Sequence, residues 1–198
     1  MPRLTVTDFN TPRYFGYDGN MPGGYGLYQP IITIVNPAFY SGLDINDEWG
    51  IRAQRFVVRG GLSGRRILEL GCGYGSLVRK LRGLGADAYG LDLSWPINQG
   101  INLWPEMLPY LIAADARDYL ADPNRKRNEW DAVISRKFLD CLSDSDLAAM
   151  IPQMNYITKF LQVHFVDDDI DGEYYNRKTL AEWQALPFEA GTIVLDGF

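Results

Sequence analysis

The stretch Arg66-Ile67-Leu68-Glu69-Leu70-Gly71-Cys72-Gly73-Tyr74-Gly75-Ser76-Leu77-Val78-Arg79-Lys80-Leu81 changes its period in the middle. Its first five residues are a short apolar run of strand type, glycines interrupt it, and from Ser76 the apolar positions return at helical spacing. A strand, a tight glycine loop and a helix are therefore expected. Glycines at 71, 73 and 75 let the backbone come close to a ligand and adopt conformations closed to residues with a Cβ. The first amides of the following helix then point at whatever binds.

Working outward, residues 88–92 form a second strand only a few residues after the helix, which is the rhythm of a βαβ unit. Residues 110–114, 130–135, 160–166 and 192–195 read as further strands, separated by segments long enough for crossover helices. The alternation implies an α/β fold, a doubly wound, mostly parallel sheet with helices on both faces. Ser143 with Asp146 and Thr179 with Glu182 mark two helix starts as capping boxes, and Pro152 is expected to kink or end the first of these helices. Upstream, a helix begins at Asn46, carries Trp49, Ala53, Phe56 and Val57 on one stripe, and stops at Gly60-Gly61. Residues 1–45, rich in glycine and aromatics with no regular period, read as an N-terminal segment or lid, and 46–198 as the folded domain.

Composition bounds the function. A chain of 198 residues with 46% apolar and 22% charged residues suits one globular domain. No apolar run approaches membrane-helix length and the first residues lack a signal-peptide pattern, so a cytoplasmic location with no membrane partner is expected. Two cysteines and a single histidine are too few for a structural zinc site. A net charge of −6 has the wrong sign for a protein that neutralises many phosphates, which argues against nucleic acid as a partner. From Phe138 onward three basic residues stand against eleven acidic ones, and the sixteen basic residues before it leave room for only a local basic face.

The glycine spacing separates ligand classes. A dinucleotide fingerprint needs its third glycine three places after the second, and Ser76 stands there. Asp92, at the end of the second strand, is placed to accept both hydroxyls of a ribose, so a nucleoside is expected.

Glu69, Gly71, Gly73 and Gly75 fill the acid-x-Gly-x-Gly-x-Gly pattern, and the chain from about residue 46 to 198 resembles the class I S-adenosylmethionine-dependent methyltransferases. The resemblance implies a Rossmann-like fold with S-adenosylmethionine as cofactor. It implies that Asp92 holds the ribose, Asp115 the adenine amino group, and Glu69 the methionine ammonium. Ser135 and Arg136 would line the pocket near the methionine and methyl, with Cys72, Leu93 and Ala116 completing the contacts. The reaction needs alignment and exclusion of water more than a strong catalytic group. Where the acceptor must lose a proton, Asp140 and His164 are the candidate bases, although His164 reads more readily as a packed or hydrogen-bonded strand residue. Tyr17, Tyr25, Tyr28, Tyr40 and Trp49 are candidate stacking faces of the lid.

The chain departs from the family in three places. Ser135-Arg136-Lys137-Phe138 stands where enzymes acting on base amines carry Asn-Pro-Pro-Tyr, and Asn36-Pro37 reads as a turn. Asp167-Asp168-Asp169 resembles half of a magnesium cage whose other ligand, an acid after the fourth strand in the family, aligns with Arg136, so no metal is expected. The C-terminal end is short, with a helix from Thr179 and one strand, and an unpaired sheet edge invites a homodimer or coverage by the N-terminal segment. The acceptor is expected to be a small molecule or a protein. The alternatives are a non-catalytic, regulatory methyltransferase-like module and aminopropyl transfer from a decarboxylated cofactor, with an NAD-dependent oxidoreductase the weakest.

Overall fold

The structure is a computed structural model that describes residues 64–166, 176, 178–189 and 191–196. The expected lid, the helix from Asn46 and the run beginning at Asp167 lie outside the described residues.

Strand β1 (Arg66–Leu70) leads through the glycines into helix α1 (Ser76–Gly83) and strand β2 (Asp87–Asp92). Helix α2 (Ser94–Leu103) and a 3₁₀ turn (Pro105–Tyr110) then reach strand β3 (Leu111–Ala113), and helix α3 (Ala116–Ala121) follows. The second half repeats the pattern: strand β4 (Trp130–Arg136), helix α4 (Asp144–Ile157), strand β5 (Thr158–Val166), helix α5 (Leu180–Gln184) and strand β6 (Thr192–Asp196). All six strands are parallel, in the order β3-β2-β1-β4-β5-β6. The chain winds outward from β1 in one direction, returns, and winds outward from β4 in the other. Such sheets open a crevice beyond the carboxyl ends of the strands where the order reverses, here between β1 and β4.

Both faces of the sheet are covered. Ile67, Ala88, Ala132, Ile134, Val163 and Phe165 pack with Leu77, Val78, Leu81 and Ile97 of α1 and α2. Leu68, Val133, Val166 and Val194 pack with Leu120 of α3, Leu147, Met150 and Met154 of α4, and Trp183 of α5. Successive strand residues face opposite ways, so two buried faces demand the nearly continuous apolar runs present in β1 and β4.

Both predicted caps form. The Ser143 and Thr179 side chains accept the N–H of Asp146 and Glu182, and Thr179 and Glu182 complete a reciprocal box. Pro152 does not end α4, which continues to Ile157. Its ring lies on the exposed side, where water can satisfy the carbonyl that loses a partner, while Met150, Ile151, Met154 and Ile157 anchor the helix to the sheet. Tyr110 belongs to the 3₁₀ turn rather than to β3. Among the described residues β6 pairs only with β5, leaving β3 and β6 as the two edges. No helix there is long and apolar enough to cross a membrane.

Candidate functional site

The loop between β1 and α1 lies at the topological switch and is held from several sides. The N–H groups of Gly71 and Cys72 both donate to the Leu91 carbonyl, at 2.9 and 3.1 Å, and the Gly75 N–H donates to the Cys72 carbonyl at 2.9 Å. Gly71 and Gly75 have φ of +70° and +82°, and a Cβ would strike Phe138 at the first and Leu111 at the second. Gly73 is different. Its φ is +57°, yet among the described residues nothing lies within 4 Å of where its Cβ would be. Two glycines are therefore required by packing, and the one between them faces open space that a ligand can approach.

Asp92 ties this loop to the end of β2. Its Oδ2 accepts the Gly73 N–H and its Oδ1 accepts the Leu93 N–H, both at 2.7 Å. Burial raises the carboxyl to about 6, and the two amides only partly offset that cost. The Cys72 thiol is raised well above its ordinary value, by burial first and then by Asp92 and Glu69, with Arg136 acting the other way. The thiol thus stays protonated, its side chain packed against Gly90 in the α1 face of the core, and only its backbone faces the site.

Glu69 and Arg136 meet across the switch point, Arg136 Nε donating to Glu69 Oε1 at 3.1 Å. Alternation along β1 and β4 places both on the face of Ile67 and Ile134. The Glu69 side chain is 1% exposed and that of Arg136 17%, so Arg136 is the more exposed of the two.

Asp115 caps α3. Its oxygens accept the Arg117 backbone N–H at 2.8 Å and the Arg117 guanidinium through Nε and Nη2 at 3.0 and 2.5 Å, while Arg117 also reaches Asp146 at 3.7 Å. These bonds hold Arg117 above its ordinary range. The carboxylate expected to receive an adenine amino group thus already accepts three donors from one residue, and Ala116 beside it is nearly covered.

The remaining candidates, Ser135, His164 and Asp140, are all buried. Ser135 was expected to line the pocket with Arg136, but adjacent strand residues point to opposite faces and Ser135 has no exposed surface. Its hydroxyl bonds His164 Nδ1 at 2.8 Å. His164 is also 0% exposed, its Nε2 lies 3.2 Å from Gln162 Oε1, and its ring stacks on Phe188 at 4.8 Å. Burial lowers its pKa to about 3, so it is a neutral, packed residue rather than a base facing an acceptor. Asp140, in the 3₁₀ turn after β4 (Leu139–Cys141), is likewise 0% exposed, and its carbonyl accepts the Asn176 N–H at 2.8 Å.

Sequence reading overlooked Trp95, a half-buried residue on the first turn of α2 whose ring meets Tyr74 of the glycine loop edge to face at 5.9 Å. Its signal was an aromatic three places beyond Asp92. It also overlooked Lys137, which turns the chain off β4 with φ +51°, its N–H bonded to the Phe165 carbonyl. Among the described residues no group of three or more His, Cys, Asp or Glu side chains gathers to hold a metal ion.

An open doubly wound α/β domain with a glycine loop at its switch point is the class that these features define. Solved structures of methyltransferases share its fold. The magnesium protoporphyrin IX methyltransferase of Synechocystis PCC 6803, crystallised with bound SAM, superposes with a TM-score of 0.58 at 19% identity over 94% of this chain and 86% of that one. Its SAH-bound form gives a TM-score of 0.59 at 18% identity over 91% and 84%. A Methanococcus maripaludis protein described as an S-adenosyl-L-methionine-dependent methyltransferase gives 0.51 at 16% identity over 64% and 62%, so the chain spans less than two thirds of its length. No protein-family model and no curated protein matches the chain.

Proposed function

We propose that the protein is an S-adenosylmethionine-dependent methyltransferase acting on a small-molecule or protein acceptor. One observation carries the reading: Gly73, between two glycines required by packing, turns an open backbone surface toward the switch-point crevice, with Asp92 bonded to its amide. The residues present suit a nucleoside. When bound, S-adenosylmethionine supplies a methyl group already activated on a sulfonium.

The chain's own residues bind and orient. Asp92, raised to about 6, gains from hydroxyl donors that favour its ionised form, as a ribose diol provides. Helix α1 has no side-chain cap, so its first-turn amides turn partial positive charge toward the loop. Glu69 and Arg136 stand at the neighbouring strand ends for the charged amino-acid end. Rate enhancement would come from holding the reactants in line, which is worth several kcal/mol without a strong acid or base.

A second reading, a SAM-binding module without turnover, is favoured by the burial of both candidate bases, Asp140 and His164. Titration calorimetry with S-adenosylmethionine, S-adenosylhomocysteine and NAD tests the shared premise: the first two bind and NAD does not. Failure of both to bind overturns the proposal. Transfer of a radiolabelled methyl to lysate fractions then separates enzyme from module.

A further inference from the structure

We propose that the amino-terminal end of the sheet, at the rim opposite the glycine loop, docks on an anionic lipid surface. No described helix is long and apolar enough to cross a bilayer. Lying on one is a different requirement, met by cations around a few exposed apolar side chains.

Because all six strands are parallel, their amino ends share one rim. Backbone bonds draw four segments together there. The Gly64 N–H donates to the Gly85 carbonyl at 2.8 Å and the Asp87 N–H to the Arg65 carbonyl at 3.0 Å, so the turn after α1, with Leu84, sits beside the start of β1. The Asn128 N–H donates to the Tyr156 carbonyl at 2.9 Å, which ties the loop before β4, with Lys126 and Arg127, to the last turn of α4. At the start of β5 two cations then meet over one ring: the Arg65 guanidinium carbon lies 5.6 Å and Lys159 Nζ 4.6 Å from the centroid of Phe160.

Two properties coincide at this rim. Arg66, Arg82 and Arg125 are paired there with Asp87, Asp122 and Glu129. Arg65, Lys126, Arg127 and Lys159 are exposed and, among the described residues, have no carboxylate within ion-pair distance. Even with Asp131 and Glu189 set against them, these four leave a positive excess on one end of a chain whose net charge is −6. The second property is apolar. Of the five large hydrophobic residues exposed among the described residues, three belong to these segments: Leu84, Tyr156 and Phe160, at 46, 45 and 51%.

An anionic headgroup layer supplies partners for both. Its phosphates meet the unpaired cations, each worth about fivefold in affinity near the surface, while the boundary with the acyl chains takes the apolar side chains. A single-stranded nucleic acid fits less well. Base stacking needs a free ring face; Phe160 already meets two cations, and Leu84 has no ring. Repulsion by the acidic remainder is screened beyond about 10 Å at ordinary salt, so the attraction acts at contact, through the end that carries the unpaired cations. Docked this way, the chain turns its switch-point crevice away from the lipid, open to an acceptor arriving from water.

The test is co-sedimentation of the full chain with vesicles of phosphatidylcholine, alone or mixed with phosphatidylglycerol. The chain is expected to sediment with mixed vesicles at about 0.05 M salt, to be released by about 0.5 M, and to stay in solution with phosphatidylcholine alone. Arg127→Ala and Lys159→Ala should each weaken binding about fivefold. Phe160→Ser should weaken it about tenfold. Lys178→Ala removes a cation paired with Asp144 outside the four segments and should change binding less than about twofold. Failure to sediment with mixed vesicles overturns the proposal, as does equal binding to both kinds of vesicle. A loss in Lys178→Ala equal to that in Lys159→Ala also overturns it, because the attraction would then belong to overall charge. Release of the chain from vesicles by oligouridylate bound more tightly than lipid would assign the rim to nucleic acid instead. Nucleoside binding by calorimetry is read separately, so the methyltransferase reading survives any of these failures.

Discussion

Asp92, half-buried, and His164, fully buried, are titratable residues on parallel strands of one sheet, and their surroundings push them in opposite directions. Asp92 ends β2 at the rim, where two backbone amides meet its oxygens and burial still raises it to about 6. His164 lies within β5, between the Ser135 hydroxyl and Phe188, where burial lowers it to about 3. In each case desolvation favours the neutral form. What separates them is position along the strand. A group at the carboxyl end can exchange its backbone donors for ligand donors, whereas a group in the interior can only pack. On the proposed function the rim over β1 and β2 carries the binding residue Asp92, and the interior between β4 and β6 is scaffold.

The largest expected effect comes from setting the two groups against each other in pH. The native state binds the Asp92 proton more readily than the unfolded chain, so that contribution to stability is complete below 3.8 and is lost as pH rises through about 6. His164 works with the other sign. Its contribution is complete above 6.5 and is lost as pH falls toward about 3. Between 3.8 and 6 the two nearly cancel. Asp92→Asn should expose the histidine, and the folded state should lose about 1.4 kcal/mol per pH unit on acidification through that window. His164→Gln should show the opposite slope. Denaturant melts at about pH 4, 5 and 6 read both, and parallel pH profiles for the two variants would break the comparison.

The glycines have effects of comparable size. Gly75→Ala combines a left-handed backbone with a collision against Leu111 and should cost about 2 to 5 kcal/mol of stability. Gly73→Ala meets nothing, so it should cost only about 1 to 2 kcal/mol while abolishing nucleoside binding measured by calorimetry. Retained binding in Gly73→Ala would remove the open face from the site. Asp92→Ala should weaken the nucleoside by about 1 to 3 kcal/mol. Affinity in the unaltered chain should likewise fall as pH drops below about 6, where the carboxylate takes up its proton. An affinity independent of pH between about 5 and 7 would exclude ribose contact through Asp92. The smallest effect belongs to the scaffold half: Ser143→Ala removes the α4 cap and should cost about 1 kcal/mol in a thermal or denaturant melt, with nucleoside affinity unchanged.

Much of this was legible along the chain. The strand, glycine loop and helix at 66–81 are local events, decided by period and by residues within a few positions of one another. The same holds for the caps at Ser143 and Thr179 and for the arrival of Asp92 at a strand end. The candidate site was legible less evenly. Ser135 and Arg136 are neighbours in sequence, yet the pleat sends one into the α4 face of the core and the other toward Glu69. Asp115 matched its expected place at the end of β3, but nothing local indicated that Arg117 would hold its carboxylate with three donors. Pro152 reads as a stop and is tolerated because tertiary packing anchors the helix on both sides of it.

By itself, then, the sequence determined the order of strands and helices and the place of the glycine loop, since these follow from periodicity and backbone conformational limits acting over a few residues. The tertiary structure decided which charges share a site and which polar groups lose water. Glu69 and Arg136 are 67 residues apart, and Ser135 and His164 are 29 apart. Desolvation and ion pairing depend on what surrounds a group in space, and that is settled only when strands distant along the chain pair in register.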